Sequence, residues 1–219
     1  MGPVLAWYLA VAVGSGVGPV LRRAASGWGM SRPLLVFIGP SGSGKSTIVR
    51  NLASRGAITA HPTWTTRPRR SDECDGALEH EFVSEVEFDC LGESGFFLDR
   101  VQMFGLPHWY ALPAIARSET GPIDAVMLRA PLVPRLREFY DPLTIYQIAS
   151  SRSSIDVRLT ARGLSEDEFA ARVSDNDREL ATGRAIADRQ FANDRPLEDV
   201  IEQIERALQI DFAVTEEAR

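Results

Sequence analysis

Residues 39–46 constrain this chain more than any other stretch, because they form a complete G-x-x-x-x-G-K-S phosphate-binding loop. The apolar residues 34–38 lead directly into the loop and predict a buried parallel strand. Residues 47–53 follow with a helical pattern, and Gly56 can end that helix. In such a loop, glycines let backbone N–H groups approach phosphate oxygens at a helix N-terminus. The sequence therefore predicts binding of a nucleoside triphosphate.

The loop also predicts roles for its own side chains. Lys45 is the only lysine of the chain. Because a lysine ammonium is compact and flexible, we expect Lys45 to lie along the β- and γ-phosphates of ATP. The hydroxyl of Ser46 is the expected Mg²⁺ ligand. The residues of this segment that we expect to bind ATP are Gly39, Ser41, Gly42, Ser43, Gly44, Lys45, Ser46 and Thr47.

Composition narrows the class of partner. The chain has 219 residues, enough for a full hydrophobic core, and its formal charge of −6 provides no general basic field for nucleic acid. Cys74 and Cys90 are too few for a disulfide framework, and no cysteine and histidine spacing resembles a zinc site. We expect a cytoplasmic protein that acts on a small molecule.

The first thirty-one residues form a separate N-terminal leader or extension. Residues 2–21 carry no charged side chain, and Arg22 and Arg23 follow them. Three interpretations stay open: a dispensable leader, translation that begins at Met30, or a membrane anchor with the two arginines on the cytoplasmic side. No positive charge precedes the apolar run, so a secretory signal is not expected. Membrane contact follows only from the anchor.

The remaining pattern alternates between strands and helices. Strands are predicted at residues 57–60, 79–83, 96–99, 124–129, 143–148 and 189–193, and helices after a capping box at 84–87, near 113–117, around 133–139 and from Pro196 onward. Leu197, Val200, Ile201, Ile204 and Leu208 are predicted to form the buried face of the last helix. This alternation predicts an α/β fold with a parallel sheet covered by helices on both faces.

A second anion site is predicted from residues 63–70, where three arginines and three threonines occur within eight residues. Pro68 keeps Arg67 out of helical geometry, so the segment is extended or turning. Guanidinium groups and hydroxyls on a restrained backbone suit a phosphate. A solvated basic loop is the alternative.

The phosphate loop, the T-T-R-P-R-R of residues 65–70 and the E-H-E-F-V-S of residues 79–84 together resemble the guanylate kinase family, over residues 32–210. The resemblance implies a P-loop NTPase fold over residues 32–215, with a core, an inserted acceptor-binding subdomain and a small lid. The corresponding segments are 32–60, 124–157 and 173–215 for the core, 61–123 for the insertion and 158–172 for the lid.

The resemblance also implies roles for individual residues. Arg67 and Arg70 match residues that clamp the acceptor phosphate, and Tyr110 matches a tyrosine that touches it. Thr63 lies where a serine helps to hold guanine, and Asp99 where a glutamate reads the guanine edge. Lid arginines that act with Lys45 in catalysis correspond to Arg158, Arg162 and Arg172, and Asn193 corresponds to the asparagine on the adenine side.

Two positions depart from the family's pattern. His80 stands where the family usually has a phosphate-binding tyrosine, although an imidazole can still donate a hydrogen bond. Arg129 stands where an aspartate reads guanine, at the end of a core strand, where ligands of such sheets bind. We expect Arg129 to face the acceptor, with a solvated strand end as the alternative. Because arginine cannot accept from guanine N–H groups, Arg129 favours an acceptor with another anionic group.

Three functions remain open at this point. The first is phosphoryl transfer from ATP to GMP, giving ADP and GDP, with Mg²⁺ as cofactor. The second is a ribose bisphosphate phosphokinase of similar fold, which forms phosphoribosyl pyrophosphate. The third is a non-catalytic guanylate-kinase-like binding module, against which the intact phosphate loop argues.

Overall fold

The computed structural model describes residues 32–69, 78–102, 107–162 and 166–213, with the side chains of residues 167 and 168 excepted. The N-terminal leader and Arg70 lie outside the described residues. The strands are β1 (Leu34–Ile38), β2 (Ile58–His61), β3 (Thr63–Thr65), β4 (His80–Phe82), β5 (Phe97–Gln102), β6 (Trp109–Pro113), β7 (Ile123–Met127), β8 (Leu143–Ala149) and β9 (Arg189–Ala192). The helices are α1 (Lys45–Ser54), α2 (Glu85–Glu93), α3 (Val133–Leu136), α4 (Arg152–Thr160), α5 (Glu166–Ile186) and α6 (Leu197–Asp211), and a 3₁₀ turn (Ala130–Leu132) precedes α3.

These elements separate into two compact units. The described residues within 32–62 and 117–213 form the first, which we call the core unit, and those within 63–116 form the second, which we call the inserted unit. The segments that the resemblance assigns to core, acceptor insertion and lid stay predictions of function.

The core unit contains a five-stranded parallel sheet in the order β2-β7-β1-β8-β9. Its middle strand β1 is completely buried along its length, as its continuous apolar run predicts. The parallel α/β arrangement predicted from the sequence is confirmed, and it places the C-terminal ends of β1, β7 and β8 at one edge of the sheet.

The buried face of helix α6 follows the helical spacing of apolar residues in its sequence. Its buried residues recur every three or four positions, at Val200, Ile201, Ile204, Ala207 and Leu208. They pack with residues of β1, α1 and β8 in one hydrophobic cluster, against which Leu197 is partly buried. The predicted buried face is therefore confirmed, with Ala207 added to it.

The inserted unit contains a four-stranded mixed sheet in the order β4-β3-β6-β5. Strand β3 pairs in parallel with β4 and antiparallel with β6. Helix α2 begins where the capping box predicts, because the Ser84 side chain accepts a hydrogen bond from the Glu87 N–H at 3.2 Å.

Two predicted helices differ in the structure. Residues 113–117 form no helix; residues 109–113 form β6, which pairs with β3 and β5 and buries residues 110–112. Pairing on both sides supplies backbone hydrogen bonds and burial that a short helix lacks. The helix expected around 133–139 is a 3₁₀ turn followed by the short α3. Among the described residues, none of the helices combines the length and hydrophobicity of a membrane span.

Candidate active site

The phosphate loop lies between β1 and α1 in the core unit and depends on two glycines. Gly39 has φ +142° and Gly44 has φ +91°, a region that other residues rarely adopt. A Cβ atom at Gly39 would collide with the carbonyl oxygen of Ile148, and one at Gly44 with the amide nitrogen of Asn193. Gly44 is also the N-cap of α1 and provides no side-chain cap, so the first N–H groups of the helix suit an anion.

The ammonium of Lys45 lies along this loop. Its Nζ donates hydrogen bonds to the carbonyl oxygens of Gly39 at 2.5 Å and Pro40 at 3.0 Å. The only lysine of the chain is therefore held by the loop it belongs to, close to the N-terminus of α1. Its predicted contact with β- and γ-phosphates stays a prediction.

Arg158 and Asn193, which are far apart in sequence, meet at the other side of the loop. The Arg158 guanidinium donates to the carbonyl oxygens of Gly42 at 3.2 Å and Asn193 at 2.9 Å. The amide of Asn193 donates to the carbonyl oxygen of Ser43 at 2.8 Å. Two residues predicted from the resemblance are thus brought directly to the loop.

A neighbouring carboxylate fixes the segment after β9. Asp194 accepts hydrogen bonds from the backbone N–H of Ser151 at 2.9 Å and from its hydroxyl at 3.0 Å. Hydrogen bonding from the side chain of Ser154, followed by these two bonds and the charge of Arg158, holds the pKa of Asp194 below its usual value. The carboxylate stays ionised next to the loop.

The two other predicted lid arginines have different surroundings. Arg172, on α5, is buried and donates to the hydroxyl of Ser41 at 3.3 Å. Arg162 lies exposed just after α4, where its backbone N–H bonds to the carbonyl of Leu159 at 3.2 Å. The structure therefore brings Arg158 and Arg172, but not Arg162, into hydrogen bonds with the loop.

Arg129 has a surrounding that the sequence did not indicate. It follows β7, and its guanidinium donates to Glu179 at 3.1 Å and also to Asp175, both on α5. The Arg129 side chain is largely buried, so the alternative of a solvated strand end is wrong. Because two carboxylates offset its charge, Arg129 gives little reason to expect a second anionic group on the acceptor.

Two residues of the loop's surroundings were missed by sequence reasoning. Asn176 and Glu179 lie on α5 and bond to the backbone of Ser41 and Gly39. They lie four and seven residues after Arg172, which places all three on one helix face. This spacing is the feature of the sequence that could have indicated them. The resemblance implies roles in this segment only for arginines.

The inserted unit brings three of the predicted acceptor residues together. The hydroxyl of Thr63 is 2.7 Å from Nδ1 of His80 and 3.2 Å from the carbonyl oxygen of Glu79, to which it donates. The ring centroids of His80 and Tyr110 are 6.0 Å apart. Thr63, His80 and Tyr110 thus form one cluster on β3, β4 and β6.

Arg67 lies beside this cluster and is held by an aromatic ring. Its guanidinium carbon is 4.9 Å from the ring centroid of Phe82, and only 7% of the residue is exposed. Arg69 lies at the same distance from that ring. Two guanidinium groups around one phenyl ring concentrate positive charge at this position, as an anion site requires. The partner predicted for Arg67, Arg70, lies outside the described residues.

Asp99 is half-buried on β5, where its carboxylate accepts from the N–H of Arg100 at 3.0 Å. No group of three or more histidine, cysteine, aspartate or glutamate side chains within the described ranges is arranged to hold a metal. Ser46 stays the predicted protein ligand of Mg²⁺, to be completed by phosphate oxygens and water, a ligand set that suits this ion. The residues present fit that ion when a triphosphate is bound.

Comparison with known proteins agrees with this geometry. The chain is 31% identical over 147 residues to the guanylate kinase of Nitrosococcus oceani, covering 65% of this chain and 71% of the relative. It is also 31% identical over 170 residues to that of Thermosynechococcus vestitus, covering 74% and 85%. A comparison with models of protein families finds no match.

A solved structure supports the fold. The crystal structure of guanylate kinase from Anaplasma phagocytophilum superposes with a TM-score of 0.60 at 20% identity, covering 84% of this chain and 88% of the other. Both sequence relatives named above are guanylate kinases. The chain belongs to the guanylate kinase family.

Proposed function

We propose that this protein transfers the γ-phosphoryl group of ATP to GMP, giving ADP and GDP. The observation that carries the proposal is the loop of residues 39–46, to which Arg158 and Arg172 are hydrogen-bonded in a chain of this family. The cluster of Thr63, His80 and Tyr110 beside Arg67 supplies a second anion site. Substrate and donor are both small phosphorylated molecules. A cytoplasmic location stays a prediction.

The chemistry asks mainly for positioning and for neutralisation of charge on phosphate oxygens. Backbone N–H groups at the start of α1 and the Lys45 ammonium bind the donor phosphates. Arg158 and Arg172 stabilise the negative charge that develops on phosphate oxygens in the transition state, and Arg162 is a third candidate for this role. Mg²⁺, held by Ser46 with phosphate oxygens, supplies further neutralisation when bound. No covalent enzyme intermediate is needed.

On the acceptor side, the guanidinium groups of Arg67 and Arg70 bind the GMP phosphate, with Tyr110 and His80 as further donors. Thr63 and Asp99 are the candidates for reading guanine, and Asn193 for the adenine side of ATP. Each of these roles is part of the proposal.

The ribose bisphosphate reaction is not favoured. In the sequence, Arg129 favoured this reaction because an arginine suits a second anionic group on the acceptor, but the Arg129 guanidinium is bonded to Glu179 and Asp175. A non-catalytic module is not favoured either, because the loop is intact and Lys45, Arg158 and Arg172 are hydrogen-bonded to it.

An acceptor panel tests the reaction. Purified protein with ATP and Mg²⁺ is assayed for ADP formation with GMP, AMP, CMP, UMP and ribose bisphosphate. A site that hydrogen-bonds one base discriminates by about 10⁴-fold or more, so we expect GMP to exceed the other acceptors by that order. Turnover of GMP no faster than AMP would overturn the assignment.

The variant Lys45→Ala separates enzyme from binding module. We expect it to lose activity and to weaken ATP binding, whereas Arg137→Ala, at an exposed arginine after α3, should retain both. Unchanged ATP binding in Lys45→Ala would contradict the proposed donor site.

A further inference from the structure

Three residues on one face of α5 make hydrogen bonds to the phosphate loop. Arg172 donates to the Ser41 hydroxyl at 3.3 Å, Asn176 bonds to the Ser41 backbone, and Glu179 accepts from the Gly39 N–H at 3.2 Å. Residues spaced by four and three positions project from the same side of a helix. A single rigid element therefore carries both a predicted catalytic arginine and two contacts to the loop backbone.

Glu179 is the most deeply buried of the three, with 0% of its side chain exposed. Its Oε1 accepts hydrogen bonds from the N–H groups of Gly39 and, at 2.8 Å, of Ala130. Its Oε2 accepts from Nε of Arg129 at 3.1 Å. A buried carboxylate is tolerated when its oxygens are satisfied in this way. Glu179 thus joins α5, the start of the loop and the end of β7.

Asn176 makes the second contact without any charge. Its Oδ1 accepts from the Ser41 N–H at 3.0 Å, and its Nδ2 donates to the Ser41 carbonyl oxygen at 3.3 Å. Only 4% of the residue is exposed. One amide therefore holds both backbone polar groups of a single loop residue, which restrains the two peptide groups that flank the Cα atom of Ser41.

We propose that Asn176 and Glu179 are positioning residues of the triphosphate site. They fix residues 39–41 against α5, so that the N–H groups of residues 42–46 and the Arg172 guanidinium keep a set separation. That the bound group is the triphosphate of ATP rests on the proposed function, in which Arg172 contacts the donor phosphates. Because a misplacement of about 1 Å can cost on the order of 10²-fold in rate, such backbone contacts affect catalysis without touching substrate.

Two variants test this, with a matched control on the same helix. Glu179→Gln keeps one acceptor for Gly39 but places an amide N–H group against Arg129, and Asn176→Ala removes both contacts to Ser41. The control is Asp177→Asn, because 75% of that side chain is exposed. The measurements are the Kd of a non-hydrolysable ATP analogue without acceptor, KM for ATP and GMP, kcat and the melting temperature.

We expect Glu179→Gln and Asn176→Ala to weaken the ATP analogue or to lower kcat by about 10-fold or more, with KM for GMP within about twofold of wild type. Asp177→Asn should stay within about twofold throughout. A merely structural role would lower the melting temperature and leave Kd and kcat of the folded protein unchanged, which would overturn the proposal.

The two variants, and the binding of the ATP analogue without acceptor, can each be interpreted separately. If Glu179→Gln fails to fold, Asn176→Ala decides alone, since it leaves no buried charge; wild-type kinetics in that variant would overturn the proposal. The ATP analogue is bound without acceptor, so this test stands even if GMP proves not to be the acceptor. Failure of the acceptor panel and failure of the positioning proposal are thereby distinguishable.

Discussion

The hydroxyl oxygen of Thr63 lies 2.7 Å from Nδ1 of His80 and fixes the orientation of the imidazole within the predicted acceptor site. The hydroxyl also donates to the carbonyl oxygen of Glu79, at 3.2 Å. Thr63 therefore makes hydrogen bonds within the protein and is also a candidate for binding guanine.

His80→Ala is expected to raise KM for GMP by about 10- to 100-fold and to leave KM for ATP unchanged. The imidazole is a proposed contact of the acceptor phosphate, and a hydrogen bond to a charged group contributes roughly 1.5–3 kcal/mol. Steady-state kinetics with each substrate varied in turn provide the measurement.

An unchanged KM for GMP in His80→Ala would contradict a role for His80 in binding the phosphate.

Arg67→Lys is expected to raise KM for GMP by about 10- to 100-fold and to leave KM for ATP unchanged. Lysine retains the charge but cannot form a planar fork toward phosphate or stack in the same way on Phe82. Arg100→Lys is the matched control, because Arg100 is an exposed arginine on β5 of the same unit. Steady-state kinetics with each substrate varied in turn provide the measurement. Equal effects of the two substitutions would argue against a special role for Arg67.

The sequence predicted those parts of the fold in which local pattern and tertiary environment agree. Strand β1 is apolar throughout and is buried throughout, and α6 shows its buried face at helical spacing. Strand β6 was missed because its stability comes from pairing with β3 and β5, partners distant in sequence that no local pattern reports.

The same distinction applies to the candidate site. The loop and the position of Arg158 follow from motifs, whereas the surroundings of Arg129 depend on a helix that begins almost forty residues later in the chain. Residue type at a strand end predicts that a side chain lies near the site, but not which partner offsets its charge. Asp175 and Glu179 could be identified as those partners only from the structure.

Gly39→Ala is expected to abolish ATP binding and to lower the melting temperature by several degrees or more. The new Cβ would meet the carbonyl oxygen of Ile148, a backbone atom that cannot move without disturbing β8. Gly56→Ala is the control, since its φ is +72° and nothing lies within 4 Å of the added carbon, so only a strain of about 1–2 kcal/mol applies. Thermal unfolding and ATP titration compare them, and equal effects on ATP binding would refute the steric argument.

Asp211 joins the end of α6 to the sheet. Its carboxylate accepts from the Tyr146 hydroxyl at 2.6 Å and from Arg189 Nε at 2.5 Å. Hydrogen bonds from Arg189 and then from Tyr146 hold the pKa of Asp211 below its usual value. Burial and the same carboxylate raise the pKa of Tyr146, which keeps its hydroxyl protonated as a donor.

Asp211→Asn is therefore expected to lower the free energy of unfolding by roughly 1–3 kcal/mol at pH 7. Because the folded-state pKa of Asp211 is depressed, its ionised form stabilises the protein above the unfolded-state pKa of about 3.9, and that contribution is lost as pH falls through the folded-state value. Urea unfolding at pH 7 and near pH 3 measures the difference, with Glu202→Gln, at an exposed position of α6, as control. A destabilisation of the same size at both pH values would show that the ionised carboxylate is not its cause.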